Sequence, residues 1–162
     1  MRVVQETNYF SITLSFLFGI VLTILPLPEW AIWLRPQWMF AILLFWVITS
    51  PSQCGIILAW MVGLVTDLMT GTPLGQHAIV FVILTYFILK IHASIVHFPS
   101  FQQAGVIAFF AVFNAILQGM VLGITGQATN VSLYALSAVT TAIIWPLLVK
   151  LLDKMRPKAY LH

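Results

Sequence analysis

Between Arg35 and Lys90 the chain carries one charged side chain, Asp67, and that residue stands inside the apolar run Gly55-Ile-Ile-Leu-Ala-Trp-Met-Val-Gly-Leu-Val-Thr-Asp67-Leu-Met. A carboxylate in such company costs about 2.5–3.5 kcal/mol at the centre of a membrane helix and less near the interface. It therefore needs either water close by or a partner. The rest of the chain has the same character. Of 162 residues 61% are hydrophobic and 7% charged, against about 25% charge in an ordinary soluble domain. No soluble core of this size hides so much apolar surface, so the composition predicts an all-α integral membrane protein. The length suits one compact domain spanning 1–162.

Apolar stretches at roughly 9–25, 37–50, 55–70, 77–90, 103–124 and 131–150 predict six transmembrane helices. Several fall short of the roughly 20 residues that cross a bilayer. Residues 55–70 rise only about 24 Å, which predicts a short helix packed against protein or a locally thin membrane. Gly71-Thr-Pro-Leu-Gly75 separates the third helix from the fourth. With six spans both termini lie on one side. Arg2, Lys90, Lys150, Lys154, Arg156 and Lys158 then share the cytoplasm, and only Arg35 is outside. That split satisfies the positive-inside rule with cytoplasmic termini. The net charge of +3 thus reports topology and a modest attraction to anionic membrane lipids. It gives no hint of nucleic-acid binding, because the basic residues are not interleaved with aromatics on a polar face.

The first helix is expected to be retained, since only Arg2 supplies a basic start and Pro26-Leu-Pro-Glu-Trp30 offers no small-residue cleavage site. Three connecting or terminal segments are read outside the membrane: 26–36 on the outer side, and 91–102 and 151–162 inside. The outer loop holds Trp30 and Trp33, with Trp38 just inside the second helix. Such residues form an interfacial belt or a contact patch for another membrane protein. The single cysteine, Cys54, lies in the turn Ser50-Pro-Ser-Gln-Cys-Gly55 and can form no internal disulfide.

Catalytic patterns are missing from the sequence. No serine sits in a nucleophile elbow, and there is no Walker-type glycine loop. His92 and His97 are five apart with no third ligand nearby, so neither a metal site nor a cofactor is expected. What converges instead is a set of polar side chains in the outer half of the bundle. An antiparallel hairpin about Ser52 brings Arg35 level with about residue 70, one turn from Asp67. The two are expected to form a charge pair. Asn114 and Gln118, four apart, share one face of the fifth helix, and Gln76 and His77 begin the fourth helix at similar depth. These residues either hold the helices together or border a polar cavity facing outward. Ala59, Gly63, Asp67 and Gly71 recur every fourth position, and Gly119 and Gly123 form a GxxxG pattern. Such lines allow close helix contact, within the bundle or with a partner.

Three segments carry a family resemblance: Leu34-Arg-Pro-Gln-Trp38; Leu43-Leu-Phe-Trp46 with Pro51; and Gly63-Leu-Val-Thr-Asp67-Leu-Met-Thr-Gly71-Thr-Pro-Leu-Gly75-Gln-His77-Ala78. Together they resemble the bacterial rod shape-determining MreD family across roughly residues 33–90. The remainder matches in helix count and hydrophobic character. Ser52-Gln53 stand where that family often has a basic residue, which weakens any role for this turn in binding an acidic partner. The resemblance implies a non-catalytic scaffold of the cell-elongation and peptidoglycan-synthesis machinery in the bacterial inner membrane. Its implied partners are an MreC-like bitopic protein and, indirectly, MreB-like actin, a RodA-like glycosyltransferase and a class B transpeptidase. The family is also similar in fold to the substrate-binding membrane subunits of energy-coupling-factor transporters. That likeness suggests the alternative of a small-molecule or lipid-intermediate binding protein with an outward polar cavity.

Overall fold

The computed structural model describes residues 9–126 and 131–155. Among them the chain is all helical, with six α-helices: α1 (Tyr9–Ile24), α2 (Trp38–Thr49), α3 (Ile56–Thr70), α4 (Gln76–Ile95), α5 (Ser100–Ile124) and α6 (Val131–Met155). A short 3-10 helix, Glu29–Leu34, precedes α2. Four segments are long and apolar enough to cross a membrane: Glu29–Thr49, Gln76–Ile95, Ser100–Ile124 and Ala135–Met155. The helices Tyr9–Ile24 and Ile56–Thr70 are apolar but shorter. The chain is a multi-pass membrane protein.

The centre of the bundle is α2. Its residues Met39–Ile48 are all buried, and it touches each of the other five α-helices. A helix with no polar face has nothing to show to water, and here it is enclosed by its neighbours. The peripheral helices are one-sided. On α1, Ile12, Ser15, Phe16 and Gly19 face inward while Leu14, Leu17, Phe18 and Val21 are exposed. On α3, Ile57, Trp60, Met61 and Leu68 are exposed. Apolar outer faces of this kind suit hydrocarbon.

Two helix pairs make the densest contacts, α3 with α4 and α5 with α6. The first pair is close because Gly63 has no side chain. A Cβ built there would lie 2.5 Å from the backbone nitrogen of Ala78 and 2.8 Å from the carbonyl carbon of His77. The inward line Ala59, Gly63 and Asp67 is buried, which is the close approach that the four-residue spacing predicts.

Connections are shorter than the sequence suggests. The inner loop read as 91–102 shrinks to residues 96–99, because α4 runs to Ile95 and α5 begins at Ser100. Cys54 lies in the α2–α3 turn yet is completely buried, and that burial pushes its thiol up to about 12. Within the 26–36 segment the 3-10 helix Glu29–Leu34 packs on α6.

Candidate functional site

The site begins at the α3–α4 corner. Gly71 ends α3 in the left-handed region with φ 69°, and Gly75 precedes α4 with φ 96°. Both values suit glycine, and together they fold the corner back over the last turn of α3. Asp67 lies beneath it with no exposed side-chain surface. Its Oδ1 accepts from the Thr72 hydroxyl at 2.9 Å, the His77 main-chain N–H at 2.9 Å and His77 Nδ1 at 2.7 Å. Oδ2 accepts from the Gly75 N–H at 2.8 Å. Because a carboxylate only accepts, the proton of the His77 ring is on Nδ1. Two of these donors are orphan N–H groups at the start of α4, so Asp67 caps that helix from α3 and meets the positive end of its dipole. The cost of a membrane carboxylate is offset locally.

The expected Arg35–Asp67 pair is not made. The terminal nitrogens of Arg35 donate to the carbonyls of Thr23 at 2.5 Å and Leu25 at 2.6 Å. These are end-of-helix carbonyls of α1 with few local donors, since Pro26 and Pro28 have no N–H. Arg35 therefore caps the C-terminus of α1, a favourable place for a cation. The sequence put both charges at one end of the bundle but not which helix terminus each serves.

Gln37, to which the sequence pattern assigns no role, joins three helices. Its main-chain N–H donates to the Thr141 hydroxyl at 2.9 Å. Its side-chain Nε2 donates to Ser137 Oγ at 3.0 Å and, more weakly, to the Ala111 carbonyl at 3.4 Å. Its Oε1 accepts from Asn114 Nδ2 at 2.8 Å. Beside this network Gln76 Nε2 donates to Gln118 Oε1 at 2.7 Å, joining α4 to α5. Asn114 and Gln118 thus lie on one buried face of α5. Among the described residues, Gln76 Oε1, Asn114 Oδ1, Gln118 Nε2 and Arg35 Nε are buried without a hydrogen-bond partner.

These groups surround a pocket of about 400 Å³. Its polar wall includes Arg35, Gln37, Gln76, His77, Asn114, Gln118 and Ser137, and its apolar wall includes Trp33, Trp38, Phe40 and Phe81. The His77 and Phe81 rings meet edge to face at 5.7 Å. Asp67 is not a wall residue and acts through His77, whose ring it orients. Trp30 is 76% exposed and stands apart, whereas Trp33 and Trp38 line the pocket. Gly119 is buried and Gly123 exposed, so the GxxxG pattern does not form one packed seam. Gln37 and Ser137 had a faint signal at most: an amide behind Pro36, and a serine inside an apolar helix.

Among the described residues no three His, Cys, Asp or Glu side chains come together. His92 Nδ1 is 2.6 Å from the Leu89 carbonyl of its own helix, and His97 is exposed in the turn before α5. His162 lies outside the described residues, as does the remainder of the basic tail beyond Met155.

Comparison with known proteins places these features in a family. The family model described as rod shape-determining protein MreD matches residues 4–155. A rod shape-determining protein MreD of Haemophilus influenzae is 29% identical over 155 residues, covering 96% of each chain. No solved structure matches.

Proposed function

The chain belongs to the MreD family of rod shape-determining proteins, and from that premise we propose that it is a non-catalytic scaffold of the cell-elongation machinery. In this reading it crosses the bacterial inner membrane six times with both termini in the cytoplasm, and the pocket end faces outward. It binds an MreC-like bitopic protein through its membrane helices, and through that partner meets MreB-like actin, a RodA-like glycosyltransferase and a class B transpeptidase. The observation that carries the reading is the family match, which runs through all six described helices. It is supported by the scarcity of mass outside the helices: the connections of α2 to α3 and α4 to α5 are each a few residues. The surface left for a partner is chiefly the apolar exterior of the bundle. Co-purification with an MreC-like partner tests this directly. Recovery should fall when the partner's membrane segment is exchanged for an unrelated span, and undiminished recovery would sink the helix-mediated contact.

The pocket favours a second reading, a small-molecule or lipid-intermediate binding protein of the outer leaflet. The likeness to substrate-binding transporter subunits that the family resemblance implies belongs with this reading. Its volume lies at the lower end of the range for ligand sites, about 300–1,000 Å³. The two readings separate in a variant that fills the space, Ala115→Leu at a buried wall position. A scaffold keeps its partner and supports rod shape in this variant. A binding protein keeps its partner yet loses rod shape.

A further inference from the structure

The walls of the pocket discriminate by charge. A cationic guest would meet no carboxylate, because Asp67 is fully buried with both oxygens engaged and does not reach the wall. An unpaired charge in such a place is strongly disfavoured. An anionic guest fares little better. Arg35 is a wall residue, but each terminal nitrogen already holds an α1 carbonyl and Nε is the nitrogen left without a partner, so part of the two-pronged donor set that a carboxylate or phosphate uses is already engaged. The positive end of α4 is likewise already met by Asp67.

What the walls do offer is neutral and two-sided. Gln76, Asn114 and Gln118 are each at least nine-tenths buried, and each carries one polar atom without a partner. Two of those atoms accept and one donates, and the final torsion of such amides is broad enough to present either end. His77, its ring held by Asp67 through Nδ1, stands on the same wall. A guest that matches this set must donate and accept at several points while carrying no charge. Hydroxyl groups on a ring do so, and the C–H faces of such a ring lie flat on aromatic side chains like Trp38 and Phe81, which flank the amides.

We propose that the pocket binds an uncharged polyhydroxyl ring, a sugar, held by the Gln76–Gln118 and Asn114 amides against the aromatic wall. The proposal rests on the second reading above and names its ligand class. The sugar has two sources, a free saccharide or the headgroup of a membrane glycolipid.

The full chain carrying Ala115→Cys, purified in a sugar-free detergent and placed in phosphatidylethanolamine–phosphatidylglycerol nanodiscs, is labelled with a small polar maleimide. Ala115 is a buried wall residue, so its labelling reports entry to the pocket. The native Cys54 is buried in the α2–α3 turn and serves as the silent control. Labelling should proceed and should slow several-fold with free methyl glucoside, with glucosyl-diacylglycerol in the disc, or with both. Protection by the free sugar alone identifies a soluble saccharide, and protection by the lipid alone identifies a headgroup. Labelling with no protection by either, or with equal protection by phosphate or choline, overturns the sugar assignment and leaves a ligand pocket standing. Absence of labelling in folded protein overturns both. Adding Gln118→Leu should abolish protection, and retained protection also overturns the assignment. Should the cysteine variant fold poorly, the tryptophan emission of a chain with Trp30, Trp46, Trp60 and Trp145 changed to Phe, which leaves the wall residues Trp33 and Trp38, carries the same arms. A signal that no sugar shifts counts against the proposal.

Discussion

The two ends of this bundle treat polar groups in opposite ways. At the end holding the α2–α3 and α4–α5 turns, buried polar side chains are few and individually matched. Trp46 Nε1 donates to Ser15 Oγ at 2.8 Å, and the Ser15 and Ser11 hydroxyls donate to main-chain carbonyls. At the pocket end, Asp67, His77, Arg35, Gln37, Gln76, Asn114 and Gln118 crowd together. Four of the six unpartnered buried polar atoms of the described residues are found there. The other two, Thr85 Oγ1 and Trp145 Nε1, occur singly within α4 and α6. A scaffold held only by packing has no use for surplus hydrogen-bonding capacity. The pocket end therefore carries whatever chemistry the molecule adds to its packed core.

The largest test of that contrast is Asp67→Ala. It leaves the Thr72 hydroxyl, the His77 ring and two main-chain N–H groups without their acceptor. Removing one partner of a buried charged set costs about 3–5 kcal/mol. Thermal unfolding in detergent should show a large loss for this variant and an intermediate one for Asp67→Asn. Lys150→Ala, an exposed charge near the other end, should stay within about 0.5 kcal/mol of the parent. Equal midpoints for Asp67→Ala and Lys150→Ala would mean that the corner does not depend on the carboxylate.

Glycine substitutions should differ in sign between the ends. Gly63→Ala pushes a methyl group into the α4 backbone at Ala78. Backbone yields less readily than a side chain, so a cost of about 1–3 kcal/mol is expected. At Gly105, in α5 near the opposite end, the place a Cβ would occupy has nothing within 4 Å. Gly105→Ala should therefore gain about 0.5–1 kcal/mol from helix propensity alone. A stable Gly63→Ala protein would show that α3 and α4 have room to part.

How much of this was legible in the sequence follows from what each signal measures. Hydrophobic runs mark helices because burial in lipid depends on composition, and all six are visible that way. Their ends are less so. The α4 run continues past Lys90, whose side chain lies over the Tyr86 ring at 4.8 Å from its centre, so one lysine does not end a helix. Depth is readable by counting from the α2–α3 turn, and this puts Arg35, Asp67, Gln76, His77, Asn114 and Gln118 at one end. Pairing is not readable. Asp67 and Arg35 stand at the same end, but each has a nearer need in an orphaned helix terminus, and capping depends on turn geometry that spacing does not encode. Gln37 escapes for a related reason: a single amide joining three helices has no periodicity to betray it.

A smaller effect separates the interhelical hydrogen bonds of the two ends. Gln37→Leu removes side-chain links to Ser137 and Asn114. At roughly 0.6 kcal/mol per interhelical hydrogen bond, the loss should be about 1 kcal/mol. Ser15→Ala removes one such link, to Trp46, and should cost about half as much. If Ser15→Ala proves the more damaging, the pocket-end network contributes less to holding the bundle than its bond count suggests, and a role for those amides toward a guest gains weight.

The smallest effect at neutral pH belongs to the dry end and appears only in alkali. Cys54 is buried in the α2–α3 turn, and its thiol titrates at about 12 when folded, above its ordinary value of 9.0, because burial disfavours the thiolate. Between those two values the folded chain holds a proton that the unfolded chain has released. Stability from this group is thus fully present below pH 9 and falls as pH rises towards 12, with a limiting slope of about 1.4 kcal/mol per pH unit. Cys54→Ala has no thiol to titrate, so its unfolding midpoint should decline less steeply over that window, while the two proteins respond alike between pH 6 and pH 8. Maleimide should likewise leave folded Cys54 unmodified at pH 7 and react once denaturant opens the turn. Parallel alkaline slopes for the two proteins would show that the thiol reaches water in the folded state, and the contrast between a sealed end and an accessible one would then fail where it is easiest to measure.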